Sequence, residues 1–301
     1  MRSVATLRIG TRQSRLAVAQ AGIAIEALRP VANEVSTVAI ATRGDAISAR
    51  QPNGRWVATD GQFTRELERA LLEGQIDLVV HSYKDLPTDP VPGLVIGAVL
   101  ERADPRDCLL TRDGGGLQDL PFGARIGTSS PRRAAQLAAE RSDLIAMPIR
   151  GNVESRIRRM EAGELDGVVL AAAGLDRLGI PVPLRARLPL EIMLPAPAQA
   201  ALALQCRADD PALLSLLAEI EHSPTRIAVE AERGLLRRIG GGCLAPLGAL
   251  GEVRDDQLRL RAAYEDPAGA QVRADSLGPA ADPEAVVAEA AAQIEREAAV
   301  A

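Results

Sequence analysis

The chain reads as an α/β protein of two similar lobes followed by a small α+β tail, and three observations predict this. Short aliphatic, β-branched runs alternate with amphipathic helical stretches through most of the chain. One helix–glycine–strand unit recurs, and the last part changes to weakly alternating strands closed by an alanine-rich helix. With 301 residues there is room for two or three domains, each with its own core. The boundaries read from the pattern are 1–100 with 200–219 for the first lobe, 105–195 for the second, and 222–301 for the tail.

In the first lobe, Leu7 to Gly10 predicts a strand, and Ser14 stands at the N-cap of a helix carrying Leu16, Ala17, Gln20 and Ile23 to Leu28. Arg12 and Ser14 then lie at a helix start, which suits an anion or is simply a capped helix beside a solvated arginine. Val35 to Ala41 is the next strand, and Thr42 to Phe63 is a long polar loop containing the sole tryptophan, Trp56. Thr64 to Gly74 forms an amphipathic helix with Leu67, Ala70 and Leu71 on one face. It leads into the buried strand Ile76 to Val80, which stops at His81, Ser82, Lys84 and Asp85. In open α/β sheets, ligands bind at such C-terminal strand edges. The apolar run Leu94 to Leu100 follows a proline-rich link, and Glu101 to Arg106 crosses into the second lobe.

The second lobe repeats this grammar. Ile126 ends a strand, Thr128, Ser129 and Ser130 turn, and Pro131 takes the first helical position before Arg132 and Arg133. Leu144 to Ile149 is a strand broken by Arg150, Gly151 and Asn152, and Val153 to Gly163 is a helix. Glu164-Leu-Asp-Gly-Val-Val169 then echoes Gln75-Ile-Asp-Leu-Val-Val80, which fits either a duplication or a chance match between two like units. Two such lobes with facing strand edges would make a cleft. Ala200 to Cys206 is a returning core strand, and Pro211 to Glu221 and Thr225 to Arg238 are helices. Gly240-Gly-Gly-Cys243 follows, a turn of exceptional backbone freedom that ends on a thiol. Leu258 to Tyr264 and Gln271 to Leu277 are strands, and Pro283 to Ala299 is the closing helix.

Composition narrows the function. A net charge of −5 with 2% aromatics argues against a nucleic-acid surface built on stacking. No apolar run approaches the ~18 residues of a membrane span, and Met1 to Gly10 lacks the apolar stretch of a secretory leader. Cys108, Cys206 and Cys243 are too far apart for a disulfide framework or a CxxC metal site, so a cytoplasmic protein with no metal is expected. The charge is uneven. Between Arg125 and Arg159 there are eight arginines and three acids, a local +5 that suits a ligand with several carboxylates or phosphates. Arg141, Arg158 and Arg159 are expected on solvated helix faces. Lys84 is the single lysine among 35 basic residues, a position where a compact ammonium is wanted, or else one partner of a surface pair with Asp85.

The ordered set Thr11-Arg-Gln-Ser14, His81-Ser-Tyr-Lys-Asp85, Gly127-Thr-Ser-Ser-Pro-Arg-Arg133, Arg150-Gly-Asn-Val153, Ala173-Gly-Leu-Asp-Arg177 and Gly241-Gly-Cys243 resembles the porphobilinogen deaminases, also called hydroxymethylbilane synthases. The resemblance spans nearly the whole chain. It implies a monomeric, cytoplasmic transferase of tetrapyrrole biosynthesis that joins four porphobilinogen molecules head to tail and releases ammonia. It also implies two lobes like those of periplasmic binding proteins with a cleft between them, plus a C-terminal domain carrying the cysteine loop. The dipyrromethane cofactor would be held by a thioether to Cys243, with Lys84, Ser82, Thr128, Ser129, Ser130, Arg132, Arg133, Arg150 and Asn152 binding it. Arg12, Ser14, Arg150, Arg156 and Arg177 would bind substrate, and Asp85 would be the catalytic carboxylate, stabilising the cation left when ammonia departs.

This sequence departs from the resemblance in three places. Asp60-Gly-Gln-Phe63 stands for Lys-Gly-Leu-Phe, Ala198 and Ala200 stand for two glycines around Gln199, and Pro131 stands for an aliphatic residue. Two other classes compete with the transferase: a two-lobed binding protein for a carboxylated small molecule, and a pyridoxal-phosphate enzyme using Lys84. The glycine-flanked Cys243 argues against both, since neither needs a thiol there.

Overall fold

A computed structural model describes residues 6–42 and 64–299. The loop predicted from Thr42 to Phe63, with Trp56 and the departure at Asp60 to Phe63, lies outside the described residues except for Thr42. The chain separates into two compact units, one of residues 1–103 with 201–226 and the other of 104–200 with 227–301.

The first unit is a five-stranded sheet in the order β2-β1-β3-β9-β4, with β1 Thr6–Thr11, β2 Glu34–Ala39, β3 Leu78–Ser82, β4 Leu94–Val99 and β9 Leu202–Arg207. β1 pairs in parallel with β2 and β3, while β9 runs antiparallel to β3 and β4 and lies between them. Helices α1 (Arg15–Leu28), α2 (Arg65–Leu72) and α6 (Pro211–Ala218) cover it. Leu7, Ile9, Ala24, Leu28, Leu78, Leu202, Leu204 and Leu217 form one buried cluster, the apolar load that orders the sheet. β3 continues two residues past the predicted end at Val80 because β9 pairs with it as far as Ser82, a non-local pairing that hydropathy does not show.

In the second unit, β5 (Asp107–Thr111), β6 (Arg125–Gly127), β7 (Ile145–Met147) and β8 (Gly167–Ala171) form a sheet in the order β5-β8-β6-β7. α3 (Pro131–Glu140) links β6 to β7, α4 (Val153–Glu161) links β7 to β8, and the short α5 (Ala172–Arg177) follows. β6 pairs in parallel with β7 and β8, so β7-β6-β8 reproduces β2-β1-β3.

The echo in sequence is therefore an echo in structure, down to its polar staple. Asp77 accepts from the Arg8 backbone N–H at 2.8 Å and returns its own N–H to the Arg8 carbonyl at 2.9 Å. Asp166 does the same with Arg125 at 2.7 and 2.9 Å. In each unit the arginine Nη2 also donates to a turn glycine carbonyl, Gly74 or Gly163, and both glycines have positive φ.

The same unit holds an antiparallel sheet of β10 (Leu247–Arg254), β11 (Gln257–Glu265) and β12 (Gln271–Pro279). Leu235, Leu258, Leu260, Val272, Val286 and Ile294 pack between this sheet and helices α7 (Ser223–Ile239) and α8 (Pro283–Ala298). The sequence reading passed over β5, α5 and β10. β5 and β10 each open on charged or glycine-containing residues that interrupt the strand pattern, and α5 is only six residues long. No described helix is long and apolar enough to cross a membrane.

Candidate active site

In the first unit, the ends of β1 and β3 lie side by side and both carry predicted residues. Ser14 is the N-cap of α1, its Oγ accepting from the Ala17 N–H at 3.3 Å, and Arg12 precedes it half-buried. Ser82 ends β3, and a short 3₁₀ turn then places Tyr83 inward, Lys84 half-buried and Asp85 exposed. Gln20, buried on α1, donates to Ser82 Oγ at 2.7 Å. A hydroxyl that accepts this bond keeps its own proton for another acceptor, which orients Ser82 as a donor. His81 is buried against Gln205 at 3.0 Å, and burial pushes its imidazole down to about 4. It is therefore neutral near pH 7, which leaves Asp85 as the edge's exposed carboxylate beside the ammonium of Lys84.

The second unit's edge is richer in donors. Ser130 caps α3 by accepting from the Arg133 N–H at 3.4 Å, and its own N–H donates to Thr128 Oγ1 at 3.1 Å. Ser129 is committed elsewhere: its hydroxyl donates to the Ile149 carbonyl at 2.8 Å and accepts from the Ile149 N–H at 3.0 Å. That hydroxyl ties the β6–α3 turn to the segment just after β7. Asn152 caps α4 through the Ser155 N–H at 2.8 Å, Arg156 Nε donates to the Gly151 carbonyl at 2.9 Å, and Arg150 lies half-buried just before. Arg177, at the end of α5, donates to the Ala200 carbonyl at 2.6 Å, and burial pushes its guanidinium down to about 10.

Arg132 and Arg133 are 3% and 7% exposed and converge on one buried carboxylate, Asp107. Burial is the chief cause lowering Arg132; the charge of Asp107 opposes it and the charge of Arg133 reinforces it. Arg132 Nε and Arg133 Nε are buried without a partner. Two buried guanidiniums against one carboxylate, with donors to spare, fit a ligand bearing carboxylates. Sequence reading missed Asp107; the only signal was an acid at the head of the apolar run Cys108 to Leu110. The expectation for Arg141 is corrected, because it grips Asp143 at 2.7 Å and also donates to the Leu117 and Leu120 carbonyls, well short of a merely solvated face. Arg158 is exposed as expected, and Arg159 pairs with Glu164 at 2.6 Å.

The segment around Gln199 is backbone-strained. Ala198 and Ala200 have φ of 61° and 74°, a region that costs a residue with a Cβ roughly 1–2 kcal/mol. Glycine would sit there without strain. Fully buried Glu232, on α7, secures the segment by accepting from the Ala198 N–H at 2.6 Å and from the Gly251 N–H at 2.7 Å. Gly240, Gly241 and Gly242 all have positive φ, so the turn before Cys243 is one that only glycines adopt freely. Cys243 itself lies in the 3₁₀ turn Gly242–Leu244. Cys108 and Cys206 are buried, and burial pushes both thiols up to about 11.

Two α/β sheets that share one three-strand arrangement, with arginines, serine hydroxyls and helix starts at their strand edges, define a class of protein with the donors that a polycarboxylate ligand would need. Comparison with known proteins gives the particular family. The model "Porphobilinogen deaminase, dipyromethane cofactor binding domain" matches residues 7–215, and that for the "Porphobilinogen deaminase, C-terminal domain" matches 226–296. The chain is 49% identical over 279 residues to the porphobilinogen deaminase of Desulforudis audaxviator, covering 92% of this chain and 90% of that one. With the porphobilinogen deaminase of Roseiflexus sp. it shares 45% identity over 281 residues, covering 92% of each chain. A solved structure of the methionine-binding protein MetQ aligns with a TM-score of 0.44 at 12% identity, over 79% of this chain and 96% of that one. The chain belongs to the porphobilinogen deaminase family, whose cofactor is dipyrromethane.

Proposed function

We propose that the protein is a hydroxymethylbilane synthase, a transferase that condenses four porphobilinogen molecules head to tail and releases ammonia at each addition. The observation that carries this reading is the buried Arg132–Arg133–Asp107 cluster with its unpartnered Nε groups, set on the domain that the family model describes as cofactor-binding. Every pyrrole unit brings an acetate and a propionate, and a hydrogen bond to a charged group is worth about 1.5–3 kcal/mol. Arg132, Arg133, Arg150, Asn152, Thr128, Ser130 and the Ser129 backbone N–H would hold the dipyrromethane, with Ser82 and Lys84. Arg12, Ser14, Arg156 and Arg177 would hold the incoming substrate, joined by Arg150. When bound, the cofactor supplies the primer to which substrate units are added.

Asp85 does the chemistry assigned to this chain's own residues. Ammonia leaves porphobilinogen with the electrons of its C–N bond, and the resulting pyrrole cation is stabilised by a nearby carboxylate, which also handles protons. Asp85 is exposed at the strand edge, whereas His81 is buried and neutral. Cys243 is the attachment point on this reading, supported by the raised thiols of Cys108 and Cys206, which make both poor nucleophiles. The three-domain division, cytoplasmic location and monomeric state expected from the resemblance belong to the same proposal. The test is the intact mass of the purified protein beside Cys243→Ser: an extra mass equal to two linked pyrrole units, lost in the variant, supports the reading. A folded wild-type protein that gains no adduct in saturating porphobilinogen overturns it.

A further inference from the structure

Asp107 opens β5 with no exposed surface, and its two oxygens are shared among three side chains. Oδ2 accepts from Arg132 Nη1 at 2.8 Å, while Oδ1 accepts from Arg133 Nη2 at 2.7 Å and from Gln199 Nε2 at 3.0 Å. Backbone carbonyls complete the cradle: Arg132 Nη1 donates to Leu194 at 2.7 Å, Arg133 Nη1 to Val169 at 2.9 Å, and Gln199 Nε2 to Pro105 at 2.8 Å. Neighbouring guanidiniums repel, and a buried charge without a counter-ion is costly. One carboxylate between two arginines removes most of that repulsion yet leaves the cluster one negative charge short.

We infer that Asp107 is a positioning residue, which locks Arg132 and Arg133 side by side so that together they accept one carboxylate of the pyrrole ligand. The inference rests on the function proposed above. Gln199 extends the device, because its amide ties Asp107 to the strained Ala198–Ala200 segment. Asp107 acts through the arginines and touches no reacting atom. Its loss therefore weakens ligand uptake while leaving the maximal rate of attachment in place.

The experiment titrates apoprotein, produced in cells unable to make porphobilinogen, with porphobilinogen and follows the adduct by intact mass. Wild type, Asp107→Asn and Gln199→Leu are compared, with folding checked by circular dichroism. For Asp107→Asn the half-loading concentration rises at least about tenfold with the saturating rate within about twofold of wild type, as expected for loss of hydrogen bonds to a charged group. For Gln199→Leu, which removes one amide donor and no charge, the rise is about threefold. A folded Asp107→Asn that loads at the wild-type concentration overturns the inference, as does a lowered saturating rate with unchanged half-loading. If Asp107→Asn is recovered unfolded, Gln199→Leu decides, and wild-type loading there overturns it. Wild type that never gains an adduct fails the function itself, an outcome distinct from a variant that loads normally beside a loading wild type.

Discussion

Acid should weaken the first unit through one side chain, His81. It lies 6% exposed on β3 with Nε2 3.0 Å from Gln205 Oε1, so Nε2 carries the proton and donates. Burial lowers its value from 6.5 to about 4, with the Gln205 bond opposing. The folded value lies below the unfolded one, so above pH 6.5 the residue makes no difference to stability. As pH falls from 6.5 towards 4 the unfolded chain takes up a proton that the native state refuses, and stability is lost across that window. At about 1.4 kcal/mol per pH unit this amounts to about 2 kcal/mol at pH 5 and about 3 kcal/mol at pH 4. The assay is urea unfolding by circular dichroism at pH 7.5 and pH 5 for wild type and His81→Phe. The variant starts lower at pH 7.5, because Gln205 loses its partner, at a cost of about 1–3 kcal/mol. Its own stability should fall by about 2 kcal/mol less between them. Other acid-sensitive groups, such as Asp77, whose burial is outweighed by the Arg8 hydrogen bonds and charge so that it is held low, and Glu68 raised by burial, are common to both proteins and cancel. Equal losses in the two proteins would refute the reasoning.

Asp85→Ala should still bind porphobilinogen while its turnover falls about 10²–10⁴-fold, measured as product formed at saturation; near-normal turnover would remove Asp85 from its role. Glu232→Leu leaves the buried Ala198 and Gly251 N–H groups without an acceptor, each worth about 1–3 kcal/mol, and should lower the urea midpoint steeply. Gly251→Ala places a Cβ 2.8 Å from the Ala228 carbonyl oxygen, a backbone atom that cannot swing aside. A destabilisation of about 1–3 kcal/mol in the same assay is expected, and a neutral result would mean that α7 and β10 shift apart freely.

Much of the candidate site's placement was legible because its residues are strand-end or helix-start residues, and the local pattern marks those places. Ser14, Ser130 and Asn152 precede helical periods and are caps in the structure. The arginine-rich stretch from Arg125 to Arg159 suits an anionic ligand through charge alone. The Asp-bearing echo left duplication and chance match both open in the sequence, and the strand pairing shows the repeated unit. Three glycines ahead of Cys243 likewise signalled left-handed backbone that side chains resist.

What tertiary structure decided is where groups distant in the chain meet. Asp107 is 25 residues from Arg132 and 92 from Gln199, and nothing local marks an acid at a strand start as the anchor of both. Pairing of β3 with β9 carried the strand through His81 to Ser82 and buried the imidazole that composition left open. Ser129 sits in a motif whose hydroxyls were expected to bind ligand, yet its side chain is spent on Ile149, a partner 20 residues away. Sequence alone determined which residues stand at the strand edges, because propensity and capping act over a few neighbours. The fold alone determined which of them are charged, shared or already committed, because desolvation and ion pairing depend on whatever the chain brings back from far away.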